Sequence, residues 1–560
     1  MYRTSRRWQL GAAVGNVLVD LKGVLVQRRR NIFALFVSLA VAFPLLAPAR
    51  QASAATAPSY KVFSFNDLGM HCYDKDFSVF SILPLYNVVH AQVLKVGSPP
   101  VVQNNTQVKV TYAAQADATG SITTTSKGKT NFWNYLQALF GISRPVDTGI
   151  LGAMMPGAGN TRRQFGFYDS GKREFVAKGI PITGVDDRGR SNPYPLMNVQ
   201  AFTRTGTTPL ASLPVVVPAS DEMACGDCHL SGKQAANDPA IAWSADANPE
   251  LQYRKNILLL HDARIGTALY KSQPVLCAAC HYSPALDLAG TGPTTTQQGK
   301  PLLSRAVHGF HAAVMAPAAS PTETCFSCHP GQKTQCLRGA MSAVGIGCTD
   351  CHGTMTAVAS DNRSPWADEP QCQSCHTGDA LDNIGGEIAR FSAYMDSPDV
   401  ATPIVATNTR FAEQPDKLFR NSTGHGGVAC EGCHGSTHAI WPSREPNDNR
   451  AAIAIQNHDG VIIECGSCHG TAELKLSLAG PHGLHNVNDP KWIDGHHDFY
   501  ERNPASCQTC HGVNGEGTII SRVKAARAFS VEGRTVRLAK GIAVGCGTCH
   551  DNPFLGGGNN

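Results

Sequence analysis

The sequence predicts a chain of two parts, a β-rich N-terminal domain followed by a longer region of short helices and long loops. Three observations support this expectation. Alternating or β-branched runs cluster between residues 60 and 125, one cysteine motif recurs from residue 225 to residue 550, and glycine and proline number 54 and 34. Because aromatic residues make up only 7% of the 560, the second part needs core material other than side chains.

The N-terminus has the features of a secretory signal peptide. Arg28–Arg30 precede an apolar run over residues 32–46, and Ala52–Ala54 has the small residues of a cleavage site. The run is too short to cross a membrane, although a retained N-terminal anchor is the alternative. We therefore expect residues 1–54 to be a signal peptide and the mature chain to be exported, to the periplasm or to the extracellular cell surface.

The net charge argues against a nucleic-acid partner. Residues 1–54 hold eight Lys and Arg against one acidic residue, a surplus of seven, whereas the whole chain has a net charge of +5. The exported part therefore has a charge of about −2. It also has no stripe of basic and aromatic residues of the kind that nucleic-acid surfaces use.

The β-rich domain is expected over residues 55–220, which contain no copy of the cysteine motif. Its predicted strands are Tyr60–Phe65, Val88–Val96, Gln107–Ala113 and Ser121–Thr125. Turns rich in glycine, proline and asparagine separate them, and Asn131–Phe140 has the pattern of a helix. A sandwich of two sheets is one arrangement that suits such strands.

The repeated motif is Cys-x-x-Cys-His, which occurs nine times and uses eighteen of the twenty cysteines. Two thiols three positions apart can each add to a vinyl group of one porphyrin, and the histidine that follows can ligate the iron. Zinc ribbons, disulfide frameworks and thioredoxin-like pairs require no histidine after every pair. We therefore predict nine covalently attached haems c and the fold class of a multihaem cytochrome c, with a haem core, over residues 221–550. Leu302–Met315 and Gly385–Tyr394 are helix candidates there, and residues 551–560 are expected to be a disordered tail.

The predicted haem-binding residues follow directly from the motif. The attachment cysteines are Cys225, Cys228, Cys277, Cys280, Cys325, Cys328, Cys348, Cys351, Cys372, Cys375, Cys430, Cys433, Cys465, Cys468, Cys507, Cys510, Cys546 and Cys549. The proximal iron ligands are His229, His281, His329, His352, His376, His434, His469, His511 and His550. The remaining Cys72 and Cys336 either form a disulfide or stay free.

The second axial ligand decides whether an iron only exchanges electrons or also binds a substrate. Ten histidines of the haem region lie outside the motifs: His261, His308, His311, His425, His438, His458, His482, His485, His496 and His497. Because adjacent His496 and His497 point in different directions, they supply one ligand between them, which leaves nine ligands for nine haems. We expect most or all irons to have two histidine ligands. Methionine is the competing ligand, at Met223, Met315, Met341, Met355 or Met395.

The spacing of these histidines predicts ligands from distant parts of the chain. Residues 312–424 contain three proximal histidines but no spare one, so those haems need His308, His311, His425 or a histidine farther away. His308 and His311 share one face of a predicted helix and therefore suit two neighbouring haems. The last haem is expected to take its ligand from residues 482–497.

The nine motifs, with Gly424–Gly427 running into Cys430–Gly435 and His438, resemble the multihaem c-type cytochromes of bacterial respiratory and extracellular electron transfer. The resemblance covers residues 225–550, and Asn66–Cys72 also looks like part of the N-terminal domain of some large members. It implies a wire-like array of haems that passes electrons to a redox partner protein or an extracellular acceptor. An outer-membrane conduit, an iron mineral or further copies of the chain are the partners that this resemblance suggests.

The resemblance favours an electron carrier over an enzyme. The alternative is a multihaem oxidoreductase for nitrite, hydroxylamine or tetrathionate, in which one catalytic haem keeps an open iron. The sequence departs from cytochrome c nitrite reductases because it has no Cys-x-x-Cys-Lys motif.

Overall fold

The computed structural model describes residues 59–315, 321–376, 394–397, 400–403, 409–415, 417–470 and 474–555. The predicted signal peptide, nearly all of the helix candidate Gly385–Tyr394 and residues 556–560 lie outside these ranges. The described residues belong to one compact unit. Among the helices that they form, none has both the length and the apolar composition needed to cross a membrane.

Two antiparallel sheets form the N-terminal region, which is β-rich as the sequence predicts. The strands of the first sheet run in the order Tyr60–Asn66, Asn87–Lys95, Glu174–Ile180 and Phe167–Asp169, with Val101–Gln103 paired to the second of them. The strands of the other sheet run in the order Ala211–Val216, Leu196–Thr203, Val108–Gln115 and Arg163–Gln164. Buried side chains of both sheets form a single hydrophobic core, which is how sheets pack in a sandwich.

The strand predicted at Ser121–Thr125 is wrong. This segment has no strand partner, because its hydroxyls bond to an acidic loop instead of a neighbouring strand. The Ser121 hydroxyl donates to the Asp186 carboxylate at 3.0 Å, and the Thr124 hydroxyl donates to the Asp187 carboxylate at 2.7 Å. Side chains that bond to loops in this way compete with the regular hydrogen bonds of a sheet.

The helix predicted over Asn131–Phe140 is present as Phe132–Phe140. Phe132, Leu136 and Leu139 are buried at the i, i+4 and i+7 spacing of one helix face. Gly141 ends the helix with a φ of 69°, a left-handed conformation that glycine adopts without a steric penalty.

The core of the two sheets extends past residue 220 into the region of the cysteine motifs. Val428, Trp441, Ala452 and Ile455 are buried members of the same hydrophobic cluster as the strands. Hydrogen bonds join the same parts, since Gln92 accepts from the backbone N–H of Ala429 at 2.8 Å. The sheets therefore position the loops around the sixth motif.

Beyond residue 220 the described chain consists mainly of short helices and loops. The α-helices are Gly226–His229, Pro249–Ile265, Leu303–Val314, Pro321–Phe326, Ala340–Ala343, Cys348–His352, Met355–Val358, Cys430–His434, Arg450–Gln456, Gly466–His469, Pro490–Gly495, His497–Arg502 and Ala505–His511. Two short antiparallel hairpins pair Tyr394–Ser397 with Val400–Pro403 and Arg527–Val531 with Arg534–Leu538. The helix predicted over Leu302–Met315 is present one residue shorter at each end.

The disorder predicted for residues 551–560 is wrong for residues 551–555, which the structure describes. Residues Pro553–Leu555 form a 3₁₀ turn, and the Phe554 ring lies 5.1 Å from the Tyr500 ring in an edge-to-face contact. The aromatic contact buries part of Phe554, which explains why this part of the tail is ordered.

Candidate functional site

Each cysteine motif folds into a single helical turn. In six motifs the backbone N–H of the histidine donates to the carbonyl of the first cysteine, as from His329 to Cys325 at 2.9 Å. The other three motifs belong to the helices Cys348–His352, Cys430–His434 and Ala505–His511. Because positions i, i+3 and i+4 share one face of a helical turn, the two thiols and the imidazole of each motif lie on the same side.

A large apolar cavity brings most of these motifs together. Its volume is about 2780 Å³, and residues of eight of the nine motifs line it. The motif that does not line it is Cys465–His469. Packed protein interiors have few voids larger than a water molecule, so a space of this volume and character suits large apolar cofactors.

Seven histidine pairs have their ring centroids 5.7–6.4 Å apart, and each pair joins one motif histidine to one histidine outside the motifs. The pairs are His229 with His311, His281 with His261, His329 with His308, His352 with His438, His434 with His482, His469 with His425 and His550 with His496. In a histidine–metal–histidine arrangement, each metal–nitrogen bond is about 2 Å long and each nitrogen lies about 1 Å from the centre of its ring. The two ring centres are then roughly 6 Å apart. The spacing therefore fits one metal ion between two imidazoles.

An eighth pair consists of His511 and His485. Burial lowers the pKa of His485 to about 4, and the next contribution to this shift comes from the neighbouring His511 imidazole. The His485 ring also stacks on Trp492, with the ring centroids 4.2 Å apart. Aromatic stacking limits the rotation of the imidazole and so fixes the direction of its nitrogens.

Backbone carbonyls orient eight of the paired imidazoles through their Nδ1 atoms, at Nδ1–O distances of 2.6–3.1 Å. The oriented residues are His281, His308, His311, His438, His482, His496, His511 and His550. Because a carbonyl can only accept, the proton must be on Nδ1, which donates it. The Nε2 lone pair of each ring is then free to ligate a metal. Metal-bound histidines commonly donate their other ring N–H to a carbonyl in the same way.

Burial also favours the neutral, metal-ligating form of three motif histidines, His229, His352 and His434. Burial, followed by the nearby His311, lowers the pKa of His229 to about 4, and burial together with His438 lowers that of His352 to about 3. The pKa of His434 falls to about 3 for the same reasons, with His482 as its neighbour. A neutral imidazole keeps its lone pair, which protonation would remove.

Two of the ten candidate distal histidines do not lie beside a motif histidine. His458 uses both nitrogens elsewhere, with Nδ1 2.6 Å from the Asp459 carbonyl and Nε2 3.0 Å from the Glu464 carboxylate. His497 is exposed and lies 3.8 Å from Glu501. Of the adjacent residues His496 and His497, the first is therefore the one that reaches a motif histidine.

His376 differs from the other motif histidines. All 21 histidines of the chain are described, and none forms a ring pair with His376. The prediction of one distal histidine for every motif therefore has no candidate at this position.

Neighbouring motifs are close enough for their thiols to interact. The neighbouring thiols are Cys225 with Cys328, Cys325 with Cys348, Cys351 with Cys375, Cys372 with Cys430, Cys433 with Cys468, and Cys507 with Cys546. Burial and then the Cys328 thiol raise the pKa of Cys225 to about 12, and burial and then Cys468 do the same for Cys433. Attached haem would turn these thiols into thioethers, so the interactions show only which motifs are neighbours.

Two further contacts complete the spatial order of the motifs. The Arg410 side chain donates to the carbonyl of Ser506, next to the eighth motif, at 2.8 Å. The Arg410 carbonyl accepts from His482, the partner of His434 in the sixth motif. Arg410 therefore joins the sixth and eighth motifs. The helix Pro249–Ile265 carries His261, and its Asn256 donates to the His229 carbonyl at 2.8 Å, which joins the second and first. We number the sites one to nine by their motifs along the chain. Their spatial order is two, one, three, four, five, six, eight and nine, with site seven beside site six.

The two cysteines outside the motifs are near each other but not bonded. All twenty cysteines are free thiols in the structure. Burial raises the pKa of Cys72, and the neighbouring Cys336 thiol adds to this shift. Of the two states that the sequence allows, the structure therefore has the free one.

Glu431, inside the sixth motif, is a buried carboxyl group whose two oxygens have no hydrogen-bond partner. Burial raises its pKa well above the usual range, and the carboxylates of Asp67 and Glu174 raise it further. Desolvation disfavours the charged form of an acid, and like charges nearby add to the effect.

We expect Glu431 to make the protein less stable as the pH rises. The pKa of Glu431 in the folded protein is raised above the unfolded value of 4.5. The contribution of Glu431 to the free energy of unfolding is therefore fully present below pH 4.5. As the pH rises from 4.5 to the folded pKa, this contribution falls by up to about 1.4 kcal/mol per pH unit. Denaturant unfolding from about pH 5 to pH 8 should show a smaller decline for Glu431→Gln.

The exposed Glu501 offers a matched control for this measurement. Glu501→Gln should leave the pH dependence of the unfolding free energy unchanged. A Glu431→Gln variant with the same pH dependence as the unaltered chain would contradict the expectation.

Comparison with known protein families, curated proteins and solved structures finds no match to this chain. The arrangement of the histidines and cysteines distinguishes a zinc site from a metal held in a macrocycle. A zinc site gathers three or four side chains at one point, and within the described ranges no three His, Cys, Asp or Glu side chains converge in this way. Two opposed imidazoles next to a pair of thiols instead fit a metal whose other ligands come from a macrocycle.

Proposed function

We propose that the chain is an exported electron-transfer protein that carries nine covalently bound haems c. The main support is that seven motif histidines each lie opposite a second histidine at the distance that one metal ion requires. An eighth, His511, interacts with His485. The eighteen motif cysteines hold the porphyrins through thioethers, and the paired histidines ligate the irons. The haem, when bound, supplies one-electron chemistry between Fe(III) and Fe(II).

The protein residues favour electron transfer over catalysis. Two imidazoles at a site would both ligate the iron of a bound haem, which would leave no position on the iron for a substrate. Carbonyl groups at Nδ1 hold the rings in one orientation in both oxidation states. The walls of the cavity are mainly apolar, which would limit the contact of the haems in it with water.

The order of the sites supports a wire with one branch. Electrons pass along sites two, one, three, four, five, six, eight and nine, and site seven offers a side exit at site six. Site nine has an exposed histidine, His550, which suits exchange with a partner. The proposed partners are redox proteins, an outer-membrane conduit, a mineral or another copy of the chain, in the periplasm or at the cell surface.

A multihaem oxidoreductase is the second candidate. One observation favours it, because His376 at site five has no partner histidine. An iron with one protein ligand could bind a small substrate such as nitrite or hydroxylamine.

The proposal is tested with the mature protein from a bacterial host that attaches haem c. Its intact mass should exceed that of the polypeptide by nine haems, and reductive titration should consume nine electrons per chain. Expression in the same host without the haem-attachment machinery provides the control and should give no haem adducts. A mature, exported protein without haem would disprove the proposal.

A further inference from the structure

Two cysteines have no place in the haem sites. The nine motifs use eighteen of the twenty, and Cys72 and Cys336 remain, 264 positions apart. Cys72 lies in the β-rich region, whereas Cys336 lies between the third and fourth motifs. Because haem attachment would consume the other eighteen thiols, these two have only each other as a disulfide partner within one chain.

A chain of contacts brings the segments of these two cysteines together. Cys72 is paired with Ser220 in a short parallel bridge, and the hydroxyl of Ser220 lies 2.8 Å from the hydroxyl of Thr334. The Glu222 carboxylate accepts from three successive backbone N–H groups that end at Thr334, at 2.7–3.0 Å. Cys336 follows two residues later and is therefore held beside the strand that carries Cys72.

A second set of contacts joins the same two segments through the loop that carries His438. A Cβ atom at Gly69 would lie 3.3 Å from the backbone nitrogen of His438. The backbone N–H of Arg338 donates to the carbonyl of the same residue at 3.0 Å. The chain therefore touches His438 both three residues before Cys72 and two residues after Cys336, and both cysteines line the same cavity.

The two thiols are buried neighbours in the folded chain. The Cys336 backbone is fixed, since its N–H donates to the Pro330 carbonyl and its carbonyl accepts from Arg338 at 3.1 Å. Burial raises the pKa of both thiols, that of Cys336 to about 11, and the Cys336 thiol adds to the rise at Cys72. The reactive thiolate is therefore scarce in the folded protein, so a bond between the two has to form before the chain closes around them.

We propose that Cys72 and Cys336 form a disulfide during export, which links the β-rich region to the chain between the third and fourth motifs. This inference rests on the proposed function, because export supplies the oxidising compartment and haem attachment occupies the other thiols. The free thiols of the structure are the reduced form of the pair.

The oxidant is the disulfide of a thiol–disulfide oxidoreductase, which reacts by exchange with the unfolded chain. One S–S bond forms between the two cysteines, and the S–S bond of the oxidoreductase breaks. The two protons and two electrons that the cysteines lose convert the oxidoreductase into its dithiol form.

The disulfide would support site four from outside the haem motifs. It restricts the unfolded chain, and the restriction increases with the length of the loop that the bond closes. The bond also fixes the segment in front of Arg338, whose N–H holds the His438 carbonyl. The β-rich region is then tied covalently to the segment that positions the partner of His352.

The test counts the thiols of the mature holoprotein after it is unfolded in iodoacetamide, with and without a phosphine reductant. Thioethers to haem resist the phosphine, so reduction releases thiols only from a disulfide. We expect no alkylated cysteine before reduction and two after it, at Cys72 and Cys336. Digestion without reductant should give one linked peptide that contains both residues.

Two variants serve as controls. Cys72→Ser should leave Cys336 open to alkylation without reductant, whereas Cys72→Ser/Cys336→Ser should show no alkylation before or after reduction. The phosphine should lower the thermal unfolding midpoint of the unaltered holoprotein by about 5 °C. It should not lower that of the double variant, which controls for effects of the reductant on the haems.

Two outcomes would overturn the inference while leaving the proposed function intact. One is alkylation of both cysteines in the unaltered holoprotein without reductant. The other is a covalent dimer that the phosphine separates, which would show that the cysteines bond between two chains. Failure of the proposed function is seen separately, because the intact mass reports the nine haems whatever the number of free thiols.

Discussion

Removal of the attachment cysteines at site four is expected to prevent folding, whereas removal of those at site seven should cost one haem and little else. The variants are Cys348→Ala/Cys351→Ala and Cys465→Ala/Cys468→Ala. Site four lies inside the shared cavity, and site seven does not line it. A porphyrin that buries several hundred Å² contributes on the order of 10 kcal/mol, as much as the net stability of a typical domain.

The surroundings of the two sites explain the difference in detail. Cys348 lies beside Cys325 of site three, and the His352 ring is opposed by His438, so site four is enclosed by its neighbours. At site seven, by contrast, neither the cysteines nor His469 line the shared cavity. The cavity left by a missing haem costs less stability at the surface, where the protein can relax into it, than in the centre.

The measurements are the yield of soluble protein, the intact mass and the unfolding midpoint. The site seven variant should have eight haems and a yield close to that of the unaltered chain. The site four variant should be degraded or aggregated. Equal yields with eight haems in both variants would mean that porphyrin does not form the core.

The parts of the site that the sequence predicts are those determined over a few residues. The helical turn of each motif needs only the spacing of five residues, and the helix at Leu303–Val314 follows from a local pattern. The structure brings His308 to His329 and His311 to His229, so two neighbouring positions of one helix serve two sites.

The pairing across long distances could not be predicted. His352 and His438 are 86 positions apart, and only the fold of the chain between them brings their rings together. The number of histidines outside the motifs overestimates the number of second ligands for a related reason. His458 was available by its position, but the neighbouring Glu464 carboxylate and Asp459 carbonyl occupy its nitrogens. Sequence spacing contains no information about such competing partners.

The β-rich region acts as a scaffold for site four. The Leu68 carbonyl accepts from Nδ1 of His438 at 2.9 Å, and the Asn66 carbonyl accepts from the Ser436 hydroxyl. These two carbonyls fix the loop that carries the partner of His352. The sheets therefore determine the geometry of a site whose motif lies far away in sequence, which no pattern within residues 55–220 indicates.

A second large effect on stability is expected at Arg338, whose replacement by alanine should cost about 3–5 kcal/mol. Arg338 and Asp448 form a two-point ion pair, with nitrogen–oxygen distances of 2.7 and 2.8 Å and 1% exposure of each side chain. Without the guanidinium, the Asp448 carboxylate would remain buried without its partner charge. The backbone N–H of Arg338 also donates to the His438 carbonyl at 3.0 Å, so the damage should reach site four.

Denaturant unfolding of the holoprotein measures this cost, and the ferric spectrum reports whether site four keeps both imidazoles. The double variant Arg338→Met/Asp448→Leu should recover most of the lost stability, because it removes both charges and keeps the volume. The exposed pair of Lys540 and Asp459 provides the control, and Lys540→Ala should cost less than about 1 kcal/mol. If Arg338→Ala were no more costly than that control, water must reach Asp448, and the ion pair would not be what holds the His438 loop at site four.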